Sequence, residues 1–229
     1  MPAPPRDDPP FGPVQFRVIG SVAVLVLSHP PVNTLSAAMR GALAAAIARA
    51  AEDRTVRAVV ITGTARMFSA GADIAEVGAV PAQPALPDLC TQIEAMDKPV
   101  VAALRGAVLG GGLELALAAH YRLAHVGARL GFPEISLGLL PGAGGTQRLP
   151  RLIGAEQALR MMLQGRAVGA AQALAMGLLD RVVETRLLPV ALQFAAGGAA
   201  PRRTMAQRQG LRDAQAYLAA VARARAAER

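Results

Sequence analysis

From residue 14 onward, short continuous apolar runs alternate with stretches of helical hydrophobic period. Val14-Gln-Phe-Arg-Val-Ile19 and Val22-Ala-Val-Leu-Val-Leu27 flank Gly20-Ser21, a spacing that predicts a two-residue hairpin with glycine first. Pro30, Pro31 and Asn33 make a loop, and Ser36 caps a helix running to about Asp53. Val56-Arg-Ala-Val-Val-Ile-Thr62 reads as a buried strand, followed by the small-residue loop Phe68–Ile74 and a stretch punctuated by Pro81, Pro84 and Pro87. A helix near 88–96, a strand over 99–104, a triple-glycine run and a helix over 112–119 come next. Tyr121–His125 and Arg129–Phe132 are short strands. Helices are predicted near 143–152, 155–163 and 170–176, the last ended by Gly177, and Asp180–Val183 is a final strand.

Repeated strand–strand–helix units of this kind predict an α/β layered core over 14–189, without an internal repeat of fixed period. Residues 1–13 form a Pro-rich tail, and 190–229 a short helical carboxyl-terminal region interrupted by Gly197, Gly198 and Pro201. Over 211–229 one amphipathic helix is expected. Leu211, Ala214, Leu218, Val221 and Ala222 form its apolar stripe, and Arg212, Arg223 and Arg225 face solvent. So narrow an alanine-rich face is expected to dock weakly on its own core.

Composition narrows the classes. At 229 residues and 53% hydrophobic, the chain can bury a substantial core. No apolar run reaches the roughly 18 residues of a membrane span, and the start lacks the basic-then-apolar pattern of a secretory signal. A single cysteine, Cys90, leaves no internal disulfide and fits a reducing compartment, so cytoplasm is the expected location. The formal net charge is +8, and arginine supplies 23 of the 24 basic residues. Seven of these arginines lie in 190–229, where only Phe194 and Tyr217 are aromatic. A base-stacking platform is therefore absent, and a nucleic-acid partner is not expected. The charge suits a polyanionic small molecule equally well.

Candidate chemistry gathers in two loops. Pro99-Val-Val-Ala-Ala-Leu104 feeds through Gly110-Gly111-Gly112 into an apolar helix carrying Glu114, and Glu134 follows twenty residues later in a second apolar stretch. Successive glycines let a backbone approach a ligand, and a helix opening there aims unpaired N–H groups at it. The loop Phe68-Ser-Ala-Gly-Ala-Asp-Ile74 offers a second set of approachable amides, with Asp73 fixing its turn. One amide from each loop can grip one carbonyl oxygen as charge develops on it, while two carboxylates at the edge of an apolar interior supply an acid and a base. Gly142-Ala-Gly144-Gly145-Thr146 completes no nucleotide fingerprint and reads as a turn into a helix. His120 and His125 are read as core or strand histidines rather than metal ligands, Cys90 as inert packing, and neither a metal nor a redox cofactor is expected.

These residues resemble the enoyl-CoA hydratase/isomerase (crotonase) family. The resemblance spans about 14–185 and is carried in register by Phe68–Ile74, Lys98-Pro-Val-Val-Ala-Ala103, Leu109-Gly-Gly-Gly-Leu-Glu-Leu115, Pro133-Glu-Ile135 and Leu140-Pro-Gly-Ala-Gly-Gly-Thr-Gln-Arg-Leu149. His120-Tyr121-Arg122 and Leu149-Pro-Arg-Leu-Ile-Gly154 are most similar to the hydratase half of the multifunctional β-oxidation enzymes. The resemblance implies a crotonase-like core and an acyl-CoA thioester substrate, with no separate cofactor. It implies Glu114 and Glu134 as the catalytic pair, with Glu134 delivering the α-proton and Glu114 activating water. The backbone N–H groups of Ala72 and Gly111 would form the oxyanion hole, and Ala70, Gly71, Ala72, Asp73, Ile74, Gly110 and Gly111 would line the CoA path. The family often has lysine where this chain has Ala75. Hydration of a 2-enoyl-CoA is the activity implied. A Δ3,Δ2-enoyl-CoA isomerase and a non-catalytic or truncated relative of a multifunctional enzyme are the alternatives. A homo-oligomer or a separate hydroxyacyl-CoA dehydrogenase are the partners in view.

Overall fold

The structure is a computed structural model describing residues 6–7, 10–64, 66–76, 78, 82–212 and 214–227. Most of the Pro-rich start, Pro81, Asp213 and the last two residues therefore lie outside the described residues. The hairpin forms as its spacing predicts. β2 (Val14–Ile19) and β3 (Val22–Leu27) pair antiparallel from Val14↔Leu27 to Ile19↔Val22, with Gly20 at a φ of 61°. Before them a two-residue strand, β1 (Arg6–Asp7), adds to the edge of β2 inside the stretch read as tail. Beyond β3 the sheet becomes parallel through β4 (Ala58–Gly63), β5 (Val100–Leu104), β7 (Tyr121–His125) and β10 (Arg181–Val183). The seven-stranded order is β1-β2-β3-β4-β5-β7-β10.

Both faces of this sheet are covered, so its parallel strands read as unbroken apolar runs rather than alternating ones. Val59 and Ile61 of β4, with Val100, Ala102 and Leu104 of β5, face the larger core beneath α1 (Ala37–Glu52), α2 (Leu86–Glu94) and α3 (Gly111–Ala118). Val60, Val101 and Ala103 point the other way, against α7 (Leu187–Ala196). Ser36 caps α1 as expected, its hydroxyl accepting from Met39 N at 3.4 Å. At the other end of α1 the Lys98 Nζ donates to the carbonyls of Ala50, Ala51 and Asp53, each at 2.8 Å. Lys98 is thus a helix C-cap. A small second sheet joins β6 (Ala107–Leu109), β8 (Arg129–Gly131) and β9 (Val168–Gly169). Of these, β6 and β9 are too short for the hydrophobic pattern to mark. No described helix is long and apolar enough to cross a membrane.

The carboxyl-terminal half wraps this core with α4 (Gly145–Ile153), α5 (Ala155–Gln164), α6 (Ala170–Ala175) and finally α8 (Ala214–Ala227). The expected stripe on the last helix is wrong. Leu218 is 67% exposed and Ala222 is exposed too, whereas Ala220 is buried and Val221 half-buried. Leu211 lies before the helix, in a 3-10 turn over Gln209–Leu211, and the side chain of Ala214 is outside the described residues. The helix packs against α5 with Ala220 as its buried residue, so the face turned inward is rotated away from Leu218.

Candidate active site

Three backbone segments meet at the carboxyl ends of β4 and β5. The loop after β4 runs through Phe68-Ser-Ala-Gly-Ala and is held from below by the loop 29–35. Ala70 N donates to Val32 O at 3.0 Å and Leu35 N to Gly71 O at 2.9 Å. Asn33 is the clamp. It is 1% exposed at a φ of 52°, and its amide donates to Met67 O (3.3 Å) and Phe68 O (3.2 Å) while its Oδ1 accepts from His29 N at 2.8 Å. The Ser69 hydroxyl closes the network, donating to Asn33 O at 2.7 Å and accepting from Gly71 N at 3.1 Å. Asp73 fixes the following turn by accepting from Ala75 N at 3.1 Å, as its position in the sequence leads one to expect. Nothing in the spacing marked Asn33. Its signal is chemical, asparagine being among the few residues that tolerate the left-handed region.

The second segment is the glycine run opening α3. Gly110 sits at a φ of 51° and turns β6 into the helix. The two loops touch: a Cβ on Gly71 would lie 3.2 Å from Gly111 N, and one on Gly111 3.2 Å from Ala72 N and 2.7 Å from Leu86 Cδ2. Only glycine at these positions leaves both amides approachable. Among the described residues neither Ala72 N nor Gly111 N donates to a protein acceptor. The loops therefore bring together the two amides that the family resemblance pairs, each without a protein acceptor among the described residues. Ala70, Asp73 and the 66%-exposed Ile74 continue one wall of the same loop, and Gly110 and Gly111 the other.

Glu114 lies in the first turn of α3, only 3% exposed. Its Oε1 accepts from Ala143 N at 2.7 Å and Gly145 N at 2.8 Å, so the carboxylate caps α4 in place of the side chain that Gly144 lacks. Its Oε2 takes no donor among the described residues. Burial pushes the Glu114 pKa above the ordinary carboxylate range, against the pull of those two amides and of the Arg148 guanidinium. Glu134 opens a 3-10 turn (Glu134–Leu137) and lies over Gly110, where a Cβ would stand 3.0 Å from its Oε1. Its Oε2 is buried without a partner. Burial pushes its pKa up to about 7; a contact from its own backbone N–H opposes the rise and the Glu114 charge adds to it. Two carboxylates thus flank the turn at Gly110, near enough for the Glu114 charge to act on Glu134, and each is tuned by its surroundings.

The remaining candidates fall where the sequence puts them. His120 is fully buried, its Nδ1 accepting from Val100 N at 2.9 Å and its Nε2 lying 3.2 Å from Glu94 O. Cys90 is buried in α2, and burial pushes its thiol up to about 12, which makes it unreactive packing. The Gly142–Thr146 segment is the turn into α4, and it is also the cradle of Glu114, a role the sequence did not show.

The sequence profile of the enoyl-CoA hydratase/isomerase family matches residues 17–228. The chain belongs to the enoyl-CoA hydratase/isomerase family. It is 53% identical over 175 residues to a peroxisomal bifunctional enzyme of Danio rerio, covering 76% of this chain and 24% of that one. It is 42% identical to a probable enoyl-CoA hydratase of Bacillus subtilis, covering 73% of this chain and 67% of the other. The chain spans about a quarter of the length of the bifunctional relatives it matches. Among solved structures, the enoyl-CoA hydratase from Bacillus anthracis superposes with a TM-score of 0.78 at 32% identity, covering 93% of this chain and 89% of that one. The fold is the α/β crotonase fold, ending in a helix.

Proposed function

We propose that this crotonase-family enzyme is an enoyl-CoA hydratase, adding water syn across the C2=C3 bond of a 2-enoyl-CoA thioester to give the 3-hydroxyacyl-CoA. The observation that carries this reading is the pair Glu114 and Glu134 flanking the Gly110 turn, beside two amides without protein acceptors among the described residues. Ala72 N–H and Gly111 N–H would hold the thioester oxygen as it gains charge. The Glu114 Oε2 would take a proton from water as its oxygen bonds to C3, since Oε1 is already committed to α4. Glu134, half-protonated near pH 7, would deliver a proton to C2. The two proton transfers balance, so the ester's charge is unchanged and the carboxyls stand with their protonation inverted until solvent resets them.

The Ala70–Ile74 backbone and Gly110 would line the CoA path. The basic surface would favour a polyanionic ligand, though Ala75 supplies no cation beside the loop. Isomerisation of a 3-enoyl-CoA is the second reading. Glu134 favours it, because a buried carboxyl with one unpartnered oxygen and a pKa near neutrality suffices to shuttle a single proton. Loss of the conjugated-thioester absorbance on adding enzyme to crotonyl-CoA, repeated with longer 2-enoyl-CoAs, tests hydration. No absorbance loss with any chain length, alongside conversion of a 3-enoyl-CoA to the conjugated ester, would replace hydratase by isomerase. Inactivity toward both by a folded protein would leave a non-catalytic relative.

A further inference from the structure

We infer that Glu94 and Arg148 are positioning residues for Glu114, and that they tie the carboxyl-terminal segment 202–206 to that carboxylate. The inference rests on the hydratase reading for the role of Glu114, and its chain of contacts is continuous. Met205 N donates to Glu94 Oε1 at 2.7 Å. Glu94 Oε2 accepts from Arg148 Nη2 at 2.8 Å and Nε at 3.2 Å. Arg148 Nη1 donates to Ala143 O at 3.0 Å, and the N–H groups of Ala143 and Gly145 hold Glu114 Oε1. Glu94, Arg148, Ala143 and Glu114 are all buried, at 7%, 6%, 3% and 3% exposure. The guanidinium also lies directly against Gly144, leaving no room for a side chain at that residue.

This geometry is more than a buried ion pair stabilising helix packing. Arg148 grips the carbonyl of the same residue whose N–H grips Glu114, so a shift of the guanidinium moves one of the two donors that aim the carboxylate. Segment 202–206 is itself anchored by independent contacts. Arg202 pairs with Asp180 and stacks on Tyr121 at 4.8 Å, Tyr121 Oη donates to Ala200 O at 2.8 Å, and Arg122 reaches Thr204 Oγ1. Met205 therefore presents its N–H to Glu94 from a fixed frame. The charged and titratable groups around Glu114 are Arg148 on α4, Glu134 on the 3-10 turn, and Glu94 and Cys90 on α2. Of these Arg148 alone favours the ionised base.

The experiment compares Arg148→Met, Arg148→Lys, Glu94→Gln and Met205→Pro, the last removing the tail N–H together with the Met205 side chain. With crotonyl-CoA, kcat is expected to fall about tenfold in the first three and less in Met205→Pro, with KM held within about twofold. The acid limb of the kcat–pH profile should move to higher pH in Arg148→Met and less in Arg148→Lys, which keeps a charge. Infrared titration of the Glu114 carboxyl, isolated as the difference between each protein and its Glu114→Gln counterpart, reads the same shift without turnover. A wild type that fails to hydrate crotonyl-CoA would overturn the reaction assigned, and the infrared titration would still decide the positioning role. Unchanged Glu114 titration in the folded variants overturns the inference, as does a kcat loss that merely tracks the folded fraction. Should Arg148→Met not fold, Glu94→Gln and Met205→Pro carry the same test, and an unmoved limb in both overturns it.

Discussion

Glu114 and Glu134 are the same side chain in contrasting settings. Glu114 sits inside the core on a full helix, roofed by α4, and one of its oxygens is committed to two amides. Glu134 starts a four-residue 3-10 turn whose neighbours Ile135, Leu137, Leu139 and Leu140 are exposed, and its buried oxygen has no partner. Amide donors and a guanidinium restrain the rise of the first, whereas little beyond its own backbone opposes burial in the second. The two carboxyls are thereby set apart by what surrounds each rather than by residue type.

The comparison breaks most directly by substitution. Glu114→Gln and Glu134→Gln should each lower hydratase turnover by about 10²–10⁴ while CoA-ester binding persists, measured by kcat against binding of a non-reactive thioester. Glu114→Gln alone sparing 3-enoyl-CoA isomerisation would show Glu134 acting unaided. The packing around the two differs as sharply. Leu149→Ala, at a fully buried position of α4, should cost about 2–5 kcal/mol, whereas Leu137→Ala, 55% exposed beside Glu134, should stay within about 0.5 kcal/mol. Chemical denaturation measures both.

Two small insertions perturb one carboxylate each. An added methyl in Gly145→Ala would stand 3.0 Å from Glu114 Oε1 and from Phe132 Cζ, and in Gly110→Ala 3.0 Å from Glu134 Oε1 at a positive φ. Each should reduce kcat by about tenfold or more. The kcat–pH profile assigns the loss, because only Gly110→Ala should move the limb near 7.

The smallest effect is on the pH dependence of stability. Glu134 titrates higher folded than unfolded, so its protonated form favours the folded state below the ordinary glutamate range. That contribution is lost as pH rises from there through about 7. Melting temperature across this interval should fall less steeply in Glu134→Gln than in the wild type. Activity should likewise decline as pH rises through about 7, where the proton on Glu134 is lost.

Much of this was legible in the residues. The hairpin about Gly20, the cap at Ser36 and the strand–glycine–helix run into Glu114 follow from short-range pattern, because turns, caps and burial period are local properties. The pairing of Ala72 with Gly111 and of Glu114 with Glu134 came from the family resemblance, and the structure brings each pair together. The catalytic roles remain for the substitutions to decide. The stripe through Leu218 fails because amphipathic period alone does not reveal which face a neighbouring helix covers, and Ala220 is the residue buried instead.

The sequence by itself determined most of the elements, their order along the chain, the family and the residues able to perform acid–base chemistry. Tertiary structure alone decided how those residues are tuned. Asn33 clamps a loop 34 residues away, Glu114 caps a helix that begins 31 residues later, and Glu94 joins Arg148 to Met205 across 54 and 111 positions. Such partners share no period and no motif. They meet only when the sheet and its helical layers close, and desolvation then shifts both carboxyls.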